Sequence, residues 1–237
     1  MRGILILAML AGSLAYAASH DYVEARDMIL PAEGLADIHI KAGQGDLELT
    51  GVEGASDIVV TATISVPTRT DSKARSIIKS DMVLTLEQDG DSARLASYFK
   101  PGKWGWDGHP EINLDVKIPA RLAVSIDDGS GLIRIQDVSG DITIEDGSGS
   151  IAIVRVGGDV HIDDGSGAIS VKEVSDSVWI VDGSGSITVR TVGGSVVIDD
   201  GSGSIDVSDV ENDLIIEADG SGSLRVARVH GRIEKPN

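Results

Sequence analysis

From residue 122 onward, apolar and polar residues alternate in short runs, and the runs recur. Ile133 and Ile135, Ile151 and Ile153, Ile169 and Val171, Ile187 and Val189, Ile205 and Val207, and Leu224 and Val226 occupy equivalent places. A second set follows each of the first five: Ile142 and Ile144, Val160 and Ile162, Val178 and Ile180, Val196 and Ile198, Leu214 and Ile216. Alternation of this kind is the strand period, because successive side chains point to opposite faces. Between the two runs stands an unbroken valine column, Val138, Val156, Val174, Val192, Val210 and Val229. Nearly every inward place is β-branched, as a packed sheet interior favours.

The runs are punctuated by Asp-Gly-Ser-Gly, which begins at Asp128, Asp146, Asp164, Asp182, Asp200 and Asp219, at spacings of 18, 18, 18, 18 and 19 residues. A fixed period of this size marks a repeat architecture. One period holds two strands and two turns and cannot bury its apolar face alone, whereas stacked copies can. Proline supplies an independent test, since it cannot donate to a neighbouring coil. None lies between Pro119 and Pro236. The chain is therefore expected to be all-β. Residues 122–237 form a parallel β-solenoid, β-helix or β-roll in type, with 18 residues and two strands per coil.

Residues 18–121 read as an irregular β-rich part of the same continuous domain. Residues 36–60 hold a divergent copy of the repeat: Ile38 and Ile40, then Gly43-Gln44-Gly45, Leu47 and Leu49, Val52, and Ile58 and Val60. They are expected to make an irregular first coil or a sheet leading into the solenoid. Residues 61–121 interrupt the repeat. A short helix is expected over Lys73 to Lys79, capped by Thr70 or Asp71. Strands are expected over Met82–Leu86, Ser92–Tyr98 and Ile112–Ile118. Residues 1–17 have the form of a secretory signal peptide: Arg2, an apolar run from Ile4 to Ala15, and the small-residue site Ala15-Tyr16-Ala17. The expectation is an exported protein, with periplasm, outer surface and medium left open.

After residue 17 the chain carries 19 Lys and Arg against 38 Asp and Glu. Such an acidic chain repels phosphate backbones, which argues against nucleic acid as a partner. There is no cysteine, so disulfides, thiol catalysis and cysteine-based zinc sites are excluded.

The layout resembles the bacterial "putative adhesin" domain family. The residues that carry the resemblance are Ile38 to Leu49, the strand Ile112 to Pro119, the run Leu122, Val124, Ile126, and the Ser-Gly-x-Ile-x-Val units that follow. It spans about residues 36–234. It implies a β-solenoid displayed at the cell envelope or exterior, and it brings no catalytic residue.

Three features are candidates for chemistry. Stacked coils place the corner aspartates about 4.8 Å apart, where neighbouring charges repel by about 0.9 kcal/mol per pair in water. Either each carboxylate accepts the backbone N–H two residues on, closing an Asx turn, or calcium ions bridge successive coils. The calcium β-roll motif places Asp two positions after the last glycine, where this chain has Ile133, Ile151, Ile169, Ile187, Ile205 and Leu224. No cofactor is therefore assigned, and calcium stays an alternative. The second feature is an aromatic loop. Tyr98, Phe99, Trp104 and Trp106 are four of the six aromatics after residue 17. They serve either as a lid on the solenoid's open end or as a platform for a partner. The third is an outer column, Thr143, His161, Trp179, Val197 and Ile215, apolar where water is expected. It is expected to be covered by the 61–121 segment or to form an interaction stripe. Possible partner-binding residues are thus Trp104, Trp106, Tyr98, Phe99 and Trp179.

Function reads as an envelope-associated structural and binding protein, adhesin-like, with an unknown protein or glycan as partner. The alternatives are a calcium-dependent β-roll and a carbohydrate-active enzyme on a β-helix. Enzyme activity is not expected, because acids repeated identically in every coil make no unique constellation. The serines also lack the Gly-x-Ser-x-Gly elbow.

Overall fold

The computed structural model describes residues 21–68, 70–102 and 108–235. The signal-peptide reading, Trp104 and Trp106 fall outside them. The chain begins with β1 (Asp21–Pro31), β2 (Asp37–Ala42), β3 (Leu47–Val52) and β4 (Asp57–Pro67). Helix α1 (Asp71–Asp81), β5 (Met82–Asp89), β6 (Ser92–Phe99) and β7 (Glu111–Pro119) follow. The repeat then runs through β8 (Ala123–Asp128), β9 (Gly131–Val138), β10 (Ile142–Asp146), β11 (Gly149–Val156), β12 (Val160–Asp164) and β13 (Gly167–Val174). It continues as β14 (Val178–Asp182), β15 (Gly185–Val192), β16 (Val196–Asp200), β17 (Gly203–Val210), β18 (Leu214–Asp219), β19 (Leu224–Val229) and β20 (Ile233–Glu234).

These strands form two facing sheets of ten. Sheet I has the order β1-β4-β7-β3-β9-β11-β13-β15-β17-β19, and sheet II the order β20-β18-β16-β14-β12-β10-β8-β2-β6-β5. From β8 on, the chain alternates between sheets, and each strand pairs in parallel with the strand one coil later, Ile142 with Val160 and Ile151 with Ile169. The fold is the expected parallel β-solenoid. The paired isoleucines and valines of the two sheets are almost wholly buried and fill the space between them. Each contributes about 1.5–3 kcal/mol by leaving water. The 19-residue spacing before Asp219 is a β-bulge: the register of β16 on β18 shifts after Ile198, so that Glu217 is the extra residue.

The N-terminal part is more orderly than the sequence suggests. β2 and β3 form a coil in register with the repeat, Ile40 beside Ile126 and Leu49 beside Ile135. That coil is not the end of the stack. β6 and β7 add one more level beyond it, in parallel with β2 and β3. The chain therefore leaves β3, builds the outer level, and crosses back over β2 and β3 to start the repeat at β8. Arg121 secures this crossing by donating to the carbonyl oxygens of Leu35 and Ala32, the latter at 2.8 Å. The late position of Ile58 and Val60 has a simple reason: β4 is no solenoid strand and runs antiparallel to both β1 and β7. Helix α1 is longer than expected, and its N-cap is Thr70, whose side chain accepts from the Lys73 N–H.

The valine column stands three residues after the second isoleucine of each coil, which is the wrong parity for one continuous strand. Every coil resolves this with one residue of positive φ just before the valine: Asp137, Arg155, Glu173, Thr191, Asp209 and Arg228, between 52° and 62°. The left-handed residue turns the backbone so that the valine points inward again. None of the six is glycine, so each coil stores about 1–2 kcal/mol of strain there.

Candidate functional site

The outer face of sheet II carries the predicted column. Strand pairing sets Thr143, His161, Trp179, Val197 and Ile215 side by side on β10, β12, β14, β16 and β18. The His161 and Trp179 rings stack, with centroids 4.4 Å apart and planes within 10°. Trp179, Val197 and Ile215 are each part-exposed. The expected cover by residues 61–121 is not what their described elements provide. β5, β6 and β7 extend the two sheets at the N-terminal end, and α1 packs on β4 and β5. Strand β14 lies four places along sheet II from β2. The stripe is a part-exposed apolar strip on the outer face of sheet II.

Its surroundings are acidic on one side. Asp163, Val181 and Asp199 form the adjoining row, and Val181 is 49% exposed. Asp127 and Glu145 extend that row toward the N-terminal end, where Lys41 pairs with Asp127. On the other side a different ladder runs along the coil edge. Asp141 Oδ1 accepts the Asp159 N–H at 2.9 Å, Asp159 Oδ1 accepts the Ser177 N–H at 2.9 Å, and Ser177 Oγ accepts the Ser195 N–H at 3.1 Å. Asp213 repeats the contact with the Arg232 N–H at 2.8 Å. These side chains close the exposed donors where each coil begins its sheet II strand, so this flank is structural. The sequence analysis missed them, although Asp or Ser one residue before each second run was the available signal.

Of the aromatic loop, the described residues include Tyr98 and Phe99. Both lie on β6 and are half-buried, paired with Val83 and Met82 of β5, and Phe99 packs against the core. They are parts of the sheet, not a free platform. The structure does not bring them near Trp179.

The corner aspartates face inward. In β10 the inward residues are Ile142, Ile144 and Asp146, and the same parity holds in β8, β12, β14 and β16, whereas the bulge in β18 leaves Asp219 part-exposed. Asp128, Asp146, Asp164, Asp182 and Asp200 are 5%, 7%, 2%, 2% and 0% exposed. The Asx turn is present: Oδ1 of Asp146, Asp164, Asp182 and Asp200 accepts the N–H of Ser148, Ser166, Ser184 and Ser202 at 3.2, 3.1, 3.0 and 3.0 Å. The second oxygen, Oδ2, is buried without a partner in each of these four, and Asp128 has both oxygens so placed. Burial pushes the Asp128 carboxyl up to about 7, with the Asp146 charge adding to it. Burial likewise raises Asp164 to about 6 and moves Asp146, Asp182 and Asp200 upward. Among the described residues, no three His, Cys, Asp or Glu side chains gather around one metal-sized point. An open groove of about 670 Å³ lies between β1, α1 and β5, with Ile78, Met82 and Leu84 among its lining residues.

Fold and faces together define a two-sheet β-solenoid with a flat, partly apolar outer face and a polar file inside. No family model matches the sequence, and no curated protein matches it. Solved structures of similar course exist. A putative adhesin from Bacteroides fragilis is 14% identical, with 90% of this chain and 96% of that one covered at a TM-score of 0.48. A putative lipid binding protein from Parabacteroides distasonis is 15% identical, covering 92% and 98% at 0.46. A putative cell adhesion protein from Clostridium sporogenes is 10% identical, covering 90% and 98% at 0.40.

Proposed function

We propose that the protein is an exported, adhesin-like binding protein of the cell envelope, non-enzymatic, that presents the outer face of sheet II to a protein or glycan partner. One observation carries this reading: the stacked His161–Trp179 pair heads a part-exposed run, Val197 and Ile215, on a rigid parallel sheet. A tryptophan held flat by a neighbouring ring offers a large, low-entropy contact, which is the chemistry of interface anchors and of sugar stacking. The acidic row Asp163 and Asp199 beside it accepts hydrogen bonds from hydroxyl or ammonium groups of a ligand. The leader-like residues 1–17 support export. The same acidity that disfavours nucleic acid suits a neutral or cationic partner.

The test is binding of the purified protein to isolated envelope fractions and to an immobilised glycan panel. Trp179→Ala is expected to weaken binding about 30-fold, the effect of losing a central anchor of about 2 kcal/mol, without lowering Tm. Loss of binding only in the Trp104→Ala, Trp106→Ala pair moves the site to the loop. Undiminished binding by both variants rejects the reading.

A further inference from the structure

The lumenal aspartates are an anomaly of charge as well as of hydrogen bonding. Five side chains, each at least nine-tenths buried, stand in one file, one level apart. Adjacent levels in a parallel sheet are about 4.8 Å apart, and two bare carboxylates at that distance repel far more strongly away from water than in it. The groups around the file give no relief. Across the lumen the facing strands present Ile151, Ile153, Ile169, Val171, Ile187 and Val189, all buried. The charged groups that act on the file from outside it are acids: Asp127 and Asp46 on Asp128, Asp163 on Asp164, and Asp219 and Asp199 on Asp200. Lys41, at the N-terminal end, is engaged by Asp127. In that direction the file ends in neutral residues, Ala42 and then the buried Ser97, at the same place on β2 and β6.

At Asp146, Asp164, Asp182 and Asp200 one oxygen is therefore satisfied by a serine N–H and the other lacks a hydrogen, and at Asp128 both oxygens lack a partner. Among the described residues nothing donates to these orphan oxygens, and the carboxyl's own proton can fill the place. We propose that the aspartate file is a proton-holding ladder, in which the orphan oxygens of successive levels carry hydrogen in acid, so that the solenoid is strongest there and loosens as the file ionises. The sign follows from linkage. A carboxyl whose proton is held more tightly in the fold than in the unfolded chain makes the native state the better proton binder. Stability is then greatest below the unfolded value, near 4, and is lost as pH rises through the folded value. With Asp128 at about 7 and Asp164 at about 6, that window is roughly pH 4 to 7. Ordinary proteins, whose carboxylates are paired, behave in the opposite way on the acid side.

The experiment is urea unfolding of the full chain at pH 5, 6, 7 and 8 and constant ionic strength, in EDTA and again in millimolar calcium. The unfolding constant of the wild type is expected to rise at least about tenfold from pH 5 to pH 8. Asp164→Asn and Asp182→Asn keep the Asx acceptor and place an amide N–H at the orphan position. Both are expected to flatten the profile and to raise the urea midpoint at pH 8. Asp176→Asn, in an exposed turn at the other corner of the coil, is expected to leave the profile unchanged. A midpoint that stays level or climbs between pH 5 and 8 overturns the ladder. So does a loss of stability at pH 8 in both asparagine variants. A calcium-specific rise at pH 8 that those variants abolish also overturns it, and makes the file a cation site instead.

Discussion

Alanine at Gly185 tests the stacking of coils directly. A Cβ built there would lie 1.5 Å from the Gly167 carbonyl oxygen, and the residue has a φ of +151°. Real Cβ atoms essentially never come closer than 3.0 Å to such an atom, so the two coils must part locally by roughly the difference, about 1.5 Å. The nearest casualty is the bond from the Gly167 N–H to the Ser184 carbonyl, now 2.9 Å, which would no longer form. Losing it costs about 1 kcal/mol, and forcing alanine into a glycine-only backbone region costs about 1–3 more. The total is about 3 kcal/mol, or a Tm lower by about 6–12 °C for a chain of this size. Gly54 is the control. Its φ is +70° and nothing lies within 4 Å of its would-be Cβ, so Gly54→Ala carries only the backbone cost of about 1 kcal/mol. Both variants are measured by thermal and urea unfolding followed by far-UV circular dichroism. A Gly185→Ala protein no less stable than Gly54→Ala would refute the idea that glycine at this corner is required by the neighbouring coil.

Thr191 is β-branched yet sits at φ 61°. Thr191→Gly is expected to stabilise by about 0.5–1 kcal/mol, because relief of about 1–2 kcal/mol of strain exceeds glycine's added chain entropy; an unchanged or lower Tm would contradict this. Asp209 is held down to about 2 by the hydrogen-bonded Arg228 guanidinium. Its contribution to stability is present above the unfolded carboxyl value and is lost as pH falls through the folded one. Arg228→Gln should therefore move the Asp209 carboxyl resonance, followed by NMR titration, up toward the ordinary aspartate range.

The sequence by itself determined the period, the two strands of each coil and the residues that fill the interior. These follow from alternation and from the absence of proline, both local properties of a β chain whose neighbours are its own copies. It also held the orientation of the corner aspartates. Asp146 continues the parity of Ile142 and Ile144, while Glu145 follows Thr143. Reading Asp-Gly-Ser-Gly as a corner hid that parity. The valine column, by contrast, violates period two, and only the backbone shows that a left-handed residue restores it. The tertiary structure alone decided that β2 and β3 lie inside the stack, between β7 and β9 on one sheet and β6 and β8 on the other. It alone decided that β5, β6 and β7 lengthen the sheets rather than roof the Trp179 stripe. It alone left the aspartate oxygens without partners. Alternation says which residues share a face. Which levels touch, and what each buried polar atom finds opposite it, depends on contacts between segments far apart in the chain, and no local pattern encodes those.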